Sequence, residues 1–202
     1  YSKTLYANIA FLFTLIGTIG FLGIMLFMDM VQFFVASNYR EGLIIVPILL
    51  LANLCLGLYY NLAIWFKLSD QTKYGGLIAV IGASITIVGN IVLIPFMMQL
   101  GYPGYLGSAW ATLLCYAIMV LIAYFLGQKH YPIPYPILRM LSYMITVVII
   151  YLIYTWAIQP YLIPNTLLSY LVSTLLVLSY LIGIYVIDGK RIKAMLKQVP
   201  AE

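Results

Sequence analysis

Few side chains in the apolar parts of this sequence could do chemistry, and most of them are uncharged amides. Asn53 and Asn61 flank Gly57 at intervals of four residues, so on a helix the three share one face. Asn90 lies in a later apolar stretch. Amides in such places either bond the hydroxyls of a ligand or join neighbouring membrane helices. We predict that Asn53, Asn61 and Asn90 line a substrate cavity, with helix contacts as the alternative.

The charged candidates are one acid and four bases. Asp29 is the only carboxylate within a predicted span, and an intramembrane acid is a candidate for ion coupling. Its alternative role is structural, because it lies near the end of that span and could reach the headgroups. The basic residues predicted to surround the cytoplasmic mouth are Lys67, Lys73, Lys129 and Arg139. They either only fix the topology or together attract an anionic headgroup.

Patterns typical of catalysis or metal binding are missing from the sequence. His130 is the only histidine, and its Pro-rich surroundings predict a solvated loop residue. There are no paired carboxylates, no cluster of metal ligands and no phosphate-binding loop. Cys55 and Cys115 lie in mid-span, where buried thiols act as small apolar groups. We therefore predict no enzyme activity, no cofactor or metal, and no nucleic-acid partner.

The elements that position these residues follow from composition and charge spacing. Mean hydropathy is +1.07 and charged residues are 7% of the chain, against about a quarter in soluble domains. The charged residues leave four long charge-free stretches, 4–28, 42–66, 74–128 and 140–187. The last two are each about twice the length of a span and are interrupted once by turn residues. Continuous apolar runs of this length predict an all-α membrane protein with six transmembrane helices.

The spans and their orientation can be placed from the same pattern. Residues 1–187 form the predicted transmembrane domain, and residues 188–202 form a basic cytoplasmic tail, either an amphipathic surface helix or a frayed end. The predicted spans are about 5–35, 43–66, 74–97, 108–126, 137–158 and 166–187. Nine of the ten basic residues then share one side, with Arg40 alone on the other. The positive-inside rule puts the nine, and both ends of the chain, in the cytoplasm.

A motif in the third and fourth spans resembles a known family. Residues 90–95 read N-I-V-L-I-P and residues 104–112 read G-Y-L-G-S-A-W-A-T. This resembles the pattern N-x-x-L-I-P…G-x-x-G-A-A-x-A-T of the flippases for polysaccharides and oligosaccharide-lipids, in the multidrug/oligosaccharidyl-lipid/polysaccharide exporter superfamily. The matching residues are Asn90, Leu93, Ile94, Pro95, Gly104, Gly107, Ala109, Ala111 and Thr112, with Ser108 replacing the commoner Ala. Segments 44–61, 67–73 and 127–135 also resemble the family, and the similarity fades after residue 140.

The motif has a physical interpretation that the structure can test. Asn90 and Pro95 are expected to close one helix, and Gly104 and Gly107 to let the chain turn and the next helix start against its neighbour. The following small residues, Ala109, Ala111 and Thr112, should keep the next helix close to its neighbour.

The resemblance implies a larger protein than this chain. It implies twelve to fourteen helices in two lobes around a central cavity, of which this chain would be the last six, joined to an N-terminal lobe of the same protein. Such a protein translocates a lipid-linked oligosaccharide or polysaccharide precursor across the bacterial inner membrane by alternating access, with membrane lipids as its other partners. The alternatives are a multidrug or cation antiporter of the same superfamily and a non-transporting membrane subunit. A carboxylate buried in the second or third span would favour the antiporter, and neither span has one.

Overall fold

The computed structural model describes residues 2–161 and 167–197, and within these ranges every regular element is helical. The α-helices are α1 (Ser2–Leu26), α2 (Met28–Val31), α3 (Val46–Leu62), α4 (Trp65–Leu68), α5 (Lys73–Gln99), α6 (Gly104–His130), α7 (Ile137–Ile153) and α8 (Leu167–Lys197). Short 3-10 helices cover Gln32–Phe34, Ser37–Ile45 and Gln159–Tyr161, and a π-helix covers Tyr154–Ile158. The prediction of an all-helical fold is confirmed for these residues.

Six helical segments of the described chain are long and apolar enough to cross a membrane. They are Lys3–Leu26, Ser37–Leu68, Lys73–Gln99, Gly104–His130, Ile137–Tyr161 and Leu167–Met195. Each contains a window of 18 residues with a mean hydropathy of at least 2.0. The chain is therefore a multi-pass membrane protein, as its composition predicts.

The first predicted span is too long at its far end. Helix α1 stops at Leu26, because the backbone leaves the helical conformation at Phe27 (φ −109°, ψ 26°). Asp29 belongs to the separate four-residue helix α2, beyond the apolar segment. The prediction that Asp29 lies within a span is wrong, which favours its alternative, structural role.

Helix α5 does not close at Pro95, as the motif led us to expect. It continues for one more turn, to Gln99, with Pro95 inside it. A proline removes one backbone hydrogen bond, but unwinding the next turn in hydrocarbon would leave more groups unpaired, so the helix continues. The turn occupies only residues 100–103, with Gly101 at φ +80°, a conformation that glycine adopts without strain. Gly104 and Gly107 lie within α6 and not in the turn.

The last helix extends beyond its predicted end. Helix α8 runs without a break through the predicted boundary at residue 187 and ends at Lys197. The described part of the tail is thus a continuation of the sixth span, and residues 198–202 lie outside the described residues. The segment 131–136 between α6 and α7 is irregular, and its alternating prolines account for this.

The described residues form two compact units. The first consists of residues 2–13 and 37–135, and the second of residues 14–36 with the described residues after 135. In the first unit α6 packs along both α3 and α5. The core there includes Tyr59, Leu62, Trp65, Phe66, Ile78, Cys115, Met119 and Ala123. The second unit contains the latter half of α1 together with α7 and α8.

Candidate functional site

The second unit contains a buried carboxylate in an ion pair that the sequence analysis did not predict. The side chain of Asp188 in α8 is 1% exposed, whereas that of its partner Arg139 in α7 is 54% exposed. One carboxylate oxygen accepts a hydrogen bond from Arg139 Nη1, and the other accepts one from the Tyr143 hydroxyl at 2.6 Å. A carboxylate so deeply buried requires such partners, because the loss of hydration is not otherwise offset.

Helical spacing explains how these three residues meet. Arg139 and Tyr143 lie four residues apart near the start of α7, so they project from the same face. On α8 the buried face carries residues at helical spacing, namely Ser169, Ser173, Tyr180, Ile184 and Asp188. The charged group is thus at one end of the face on which α8 packs within its unit.

A groove with a volume of about 420 Å³ borders the ion pair, and we call it the α7–α8 groove. Its polar lining residues are Arg139, Ser142, Tyr143, Thr146, Ser179, Tyr180 and Asp188, and its apolar ones include Ile150, Ile184 and Ile187. The hydroxyls of Ser142 and Thr146 each donate to a carbonyl of their own helix, at 2.8 and 2.7 Å. Their oxygens keep the capacity to accept a hydrogen bond from a ligand. The groove therefore combines a charged group, hydroxyls and apolar surface.

Buried hydroxyls hold the helices of the second unit together. The Tyr180 hydroxyl lies 3.0 Å from Thr18 Oγ1, and the Ser173 hydroxyl donates to the Leu26 carbonyl at 3.0 Å. The Tyr154 hydroxyl lies 3.2 Å from Ser173 Oγ. Hydrogen bonds of this kind are a main source of helix association in membranes, where lipid tails compete for apolar contacts. They link the latter half of α1, the π-helix after α7, and α8.

The first unit has an aromatic cluster, which we define as Trp65, Tyr74 and His130. The imidazole stacks on the indole with ring centres 5.4 Å apart and an interplanar angle of 6°. Trp65 is 1% exposed and donates its indole N–H to the Ala123 carbonyl at 3.2 Å. His130 Nδ1 lies 2.9 Å from the Leu126 carbonyl and Nε2 lies 3.1 Å from the Tyr74 hydroxyl. Since a carbonyl only accepts, the neutral imidazole carries its proton on Nδ1 and accepts from Tyr74.

This packing corrects the prediction for His130. It is the last residue of α6 and is partly buried, not a solvated loop residue. The Pro-rich segment begins only after it, so the helix extends far enough to stack the imidazole on Trp65.

The structure brings three of the four predicted rim residues to one end of the first unit. Lys67 in α4, Lys73 at the start of α5 and Lys129 near the end of α6 are exposed. Each lies within two residues of a member of the aromatic cluster, whose rings are in contact. Arg139 lies in the second unit and is paired with Asp188. Binding of a headgroup by these four residues stays a prediction.

The three asparagines each form a hydrogen bond with their own helix. The amide nitrogens of Asn53, Asn61 and Asn90 donate to the carbonyls of Leu49, Gly57 and Thr86, each at 2.8 Å. Asn53 is exposed and the other two are partly buried, and the side-chain oxygen Oδ1 of Asn90 is buried with no hydrogen-bond partner among the described residues. A side chain at position 57 would overlap the Phe13 ring, so this ring covers the face between Asn53 and Asn61. Their role as a cavity wall stays a prediction.

Asp188 and Tyr143 are the residues that the sequence reasoning missed. Asp188 was assigned to the tail, yet it lies in α8 within the apolar segment Leu167–Met195. Asp188, and not Asp29, therefore lies within a segment long enough to span the membrane. The helical spacing of Ser169, Ser173, Tyr180 and Asp188 was a usable signal, because it continues past the predicted boundary.

Among residues 2–161 and 167–197, no group of three or more His, Cys, Asp or Glu side chains is arranged to hold a metal ion. Comparison of the chain with family models, with curated proteins and with solved structures finds no match.

Proposed function

We propose that this chain is part of a transporter that moves a lipid-linked oligosaccharide or polysaccharide precursor across the bacterial inner membrane by alternating access. The resemblance of residues 90–112 to the flippase pattern supports this function, as does the multi-pass helical fold. The observation that carries the proposal is the contact between α5 and α6, which the residues of that pattern make.

The contact is close because small residues face each other. A Cβ atom at Gly107 would lie 2.6 Å from the carbonyl carbon of Leu93 and 2.8 Å from Ile94 Cα, so α6 touches the backbone of α5. A Cβ atom at Gly89 would lie 3.0 Å from that of Ala111. The pattern residues therefore contribute to this contact from both helices, Leu93 and Ile94 from α5 and Gly107 and Ala111 from α6. A pattern whose residues join two helices in this way supports an architecture like that of the family it resembles, and through it the proposed function.

The polar groups of the first unit suit a substrate with sugar hydroxyls and phosphates. Each asparagine uses one N–H on its own backbone, and its second N–H and its oxygen retain hydrogen-bonding capacity. Lys67, Lys73 and Lys129 give one end of the unit a positive potential that attracts a phosphorylated headgroup. In this proposal the α5–α6 pair moves as one body when the cavity changes the side to which it opens.

The test is the double substitution of Asn53 and Asn61 by Leu in the full protein, expressed in cells that lack it. We expect loss of surface glycan, accumulation of lipid-linked precursor on the cytoplasmic side, and normal membrane insertion. Asn38→Leu, which removes an amide from the exposed segment Ser37–Ile45, is the matched control. Unchanged surface glycan in the double variant would mean that these amides serve only packing and would contradict the proposed role.

A second candidate function is ion-coupled antiport, and Asp188 is the observation that favours it. A carboxylate that is 1% exposed within a span can take up and release a coupling ion, and it borders a groove large enough for a small organic ligand. In proteoliposomes with the full protein, this function predicts efflux of a cationic dye driven by a pH gradient and its loss in Asp188→Asn. Absence of dye efflux in the wild type rejects it.

A further inference from the structure

We propose that the α7–α8 groove binds the headgroup phosphate of an anionic membrane lipid, through the N–H groups of Arg139 that do not bond Asp188. This lipid site does not depend on the proposed transport function, because it rests on the ion pair and the groove alone.

The ion pair is asymmetric in a way that leaves Arg139 able to bind a second anion. Asp188 is 1% exposed and fixed by two partners, whereas more than half of the Arg139 side chain is exposed. A guanidinium carries five N–H donors in a planar fork that matches a phosphate, and only Nη1 forms a hydrogen bond with Asp188. Arg139 can therefore turn toward the groove while Asp188 stays in place.

The groove suits a ligand with a charged head and an apolar tail. Arg139 and Ser142 supply a cation and a hydroxyl oxygen, and Ile150, Ile184 and Ile187 supply apolar surface. Both helices belong to apolar segments that are long enough to cross a membrane. Exposed apolar residues along them include Leu141, Ile145, Ile149, Ile182 and Val186. In a bilayer such surface contacts acyl chains, so the ligand that reaches the groove most directly is a lipid.

The charge around the polar end favours an anion. Asp188 is followed on α8 by Lys190, Arg191 and Lys193, and Arg139 adds a fourth positive charge from α7. Basic residues close to a membrane surface attract anionic lipids. This composition selects phosphatidylglycerol-like lipids over zwitterionic ones.

The test titrates the detergent-purified protein with phosphatidylglycerol or phosphatidylcholine and counts bound lipids by native mass spectrometry. We expect wild type to prefer phosphatidylglycerol. Arg139→Gln lowers that affinity about tenfold, the effect of losing one charged hydrogen bond. Asp188→Asn binds phosphatidylglycerol more tightly than wild type, because it removes the anion that competes for Arg139. Arg40→Gln, which removes the same charge in the segment Ser37–Ile45, leaves the affinity unchanged.

Three results would overturn the proposal. These are equal binding by wild type and Arg139→Gln, an equal loss in Arg40→Gln, and weaker binding by Asp188→Asn than by wild type. Displacement of phosphatidylglycerol by inorganic phosphate at comparable concentrations would assign the groove to a free anion, and would overturn the lipid assignment. If Arg139→Gln does not fold because Asp188 is left unpaired, the double variant Arg139→Gln/Asp188→Asn removes both charges and must show the same tenfold loss.

Discussion

The contact at Gly107 leads to a prediction whose magnitude can be worked out. In Gly107→Ala, the new methyl carbon would lie 2.6 Å from the Leu93 carbonyl carbon and 2.8 Å from Ile94 Cα. Ordinary contacts between carbon atoms are about 3.5–4.0 Å. Because the atoms that it meets belong to the α5 backbone and not to a flexible side chain, α5 and α6 must separate by about 1 Å.

That separation also loosens the neighbouring contacts of the helix pair. Gly89 and Ala111 lie one turn further along the same interface. Inserting a methyl group into a packed site costs about 1–3 kcal/mol. For a chain of this size, 2 kcal/mol lowers the midpoint of thermal unfolding by about 4–8 °C.

The buried thiol of Cys115 provides the assay. It lies in α6, 3% exposed, and a thiol-reactive dye reaches it only when the first unit opens. A Cys55→Ser background removes the other, less deeply buried thiol. The matched control is Gly76→Ala in α5, where a Cβ atom meets nothing within 4 Å, and its midpoint should be unchanged or slightly higher. Equal midpoints for the two variants would refute the argument that the backbones touch at Gly107.

Three further predictions concern other parts of the chain. Burial raises the pKa of Tyr135, so as the pH rises this group loses its proton in the unfolded chain before it does so in the folded one. The free energy of unfolding therefore falls as the pH rises above about 10. Tyr135→Phe should lessen that fall and leave the thermal midpoint at neutral pH unchanged or higher, because the hydroxyl has no partner among the described residues. Ser173→Ala removes the hydrogen bond to the Leu26 carbonyl and should cost about 0.6–1.7 kcal/mol, seen as a lower thermal midpoint; an unchanged midpoint would mean the bond contributes nothing. If the proposed function holds, replacing Lys67 and Lys73 by Gln should weaken glycan export modestly without moving the segment 67–73 to the other side of the membrane, which the accessibility of introduced cysteines checks. Full export would mean that both lysines serve only to fix the topology.

Periodicity and charge spacing predicted the helices well, because a backbone in hydrocarbon can adopt only conformations that satisfy its hydrogen bonds internally. An apolar run of about 20 residues in a membrane must satisfy its own hydrogen bonds, so the six long helices follow from the absence of charge. The ends were predicted less well. Pro95 and residue 187 appeared to be helix boundaries, yet α5 and α8 continue past both, because a helix already formed by packing tolerates one proline or a few charges.

The polar sites depended on contacts between distant parts of the chain. Asp188 looked like a tail residue because basic residues follow it, and only its approach to Arg139, 49 residues earlier, makes it a buried group. His130 similarly looked solvated until α6 stacked it on Trp65. Local sequence patterns do not indicate such contacts between residues far apart in the chain. The four-residue spacing of Asn53 and Asn61 was visible in the sequence, but the covering of Gly57 between them by Phe13 was not.

The two units use different means to hold their helices, and this difference has consequences. Apolar contact alone gives little association in lipid, so the first unit relies on glycines that bring backbones together and on the aromatic cluster. The second unit relies on hydroxyls and on the ion pair of Arg139 with Asp188. Close packing does not respond to anions, whereas Arg139 does so in the lipid site that we propose. Gly107→Ala should therefore lower stability while leaving the affinity for phosphatidylglycerol unchanged, whereas Arg139→Gln should lower that affinity. A loss of lipid affinity in Gly107→Ala as large as that in Arg139→Gln would show that this division is wrong.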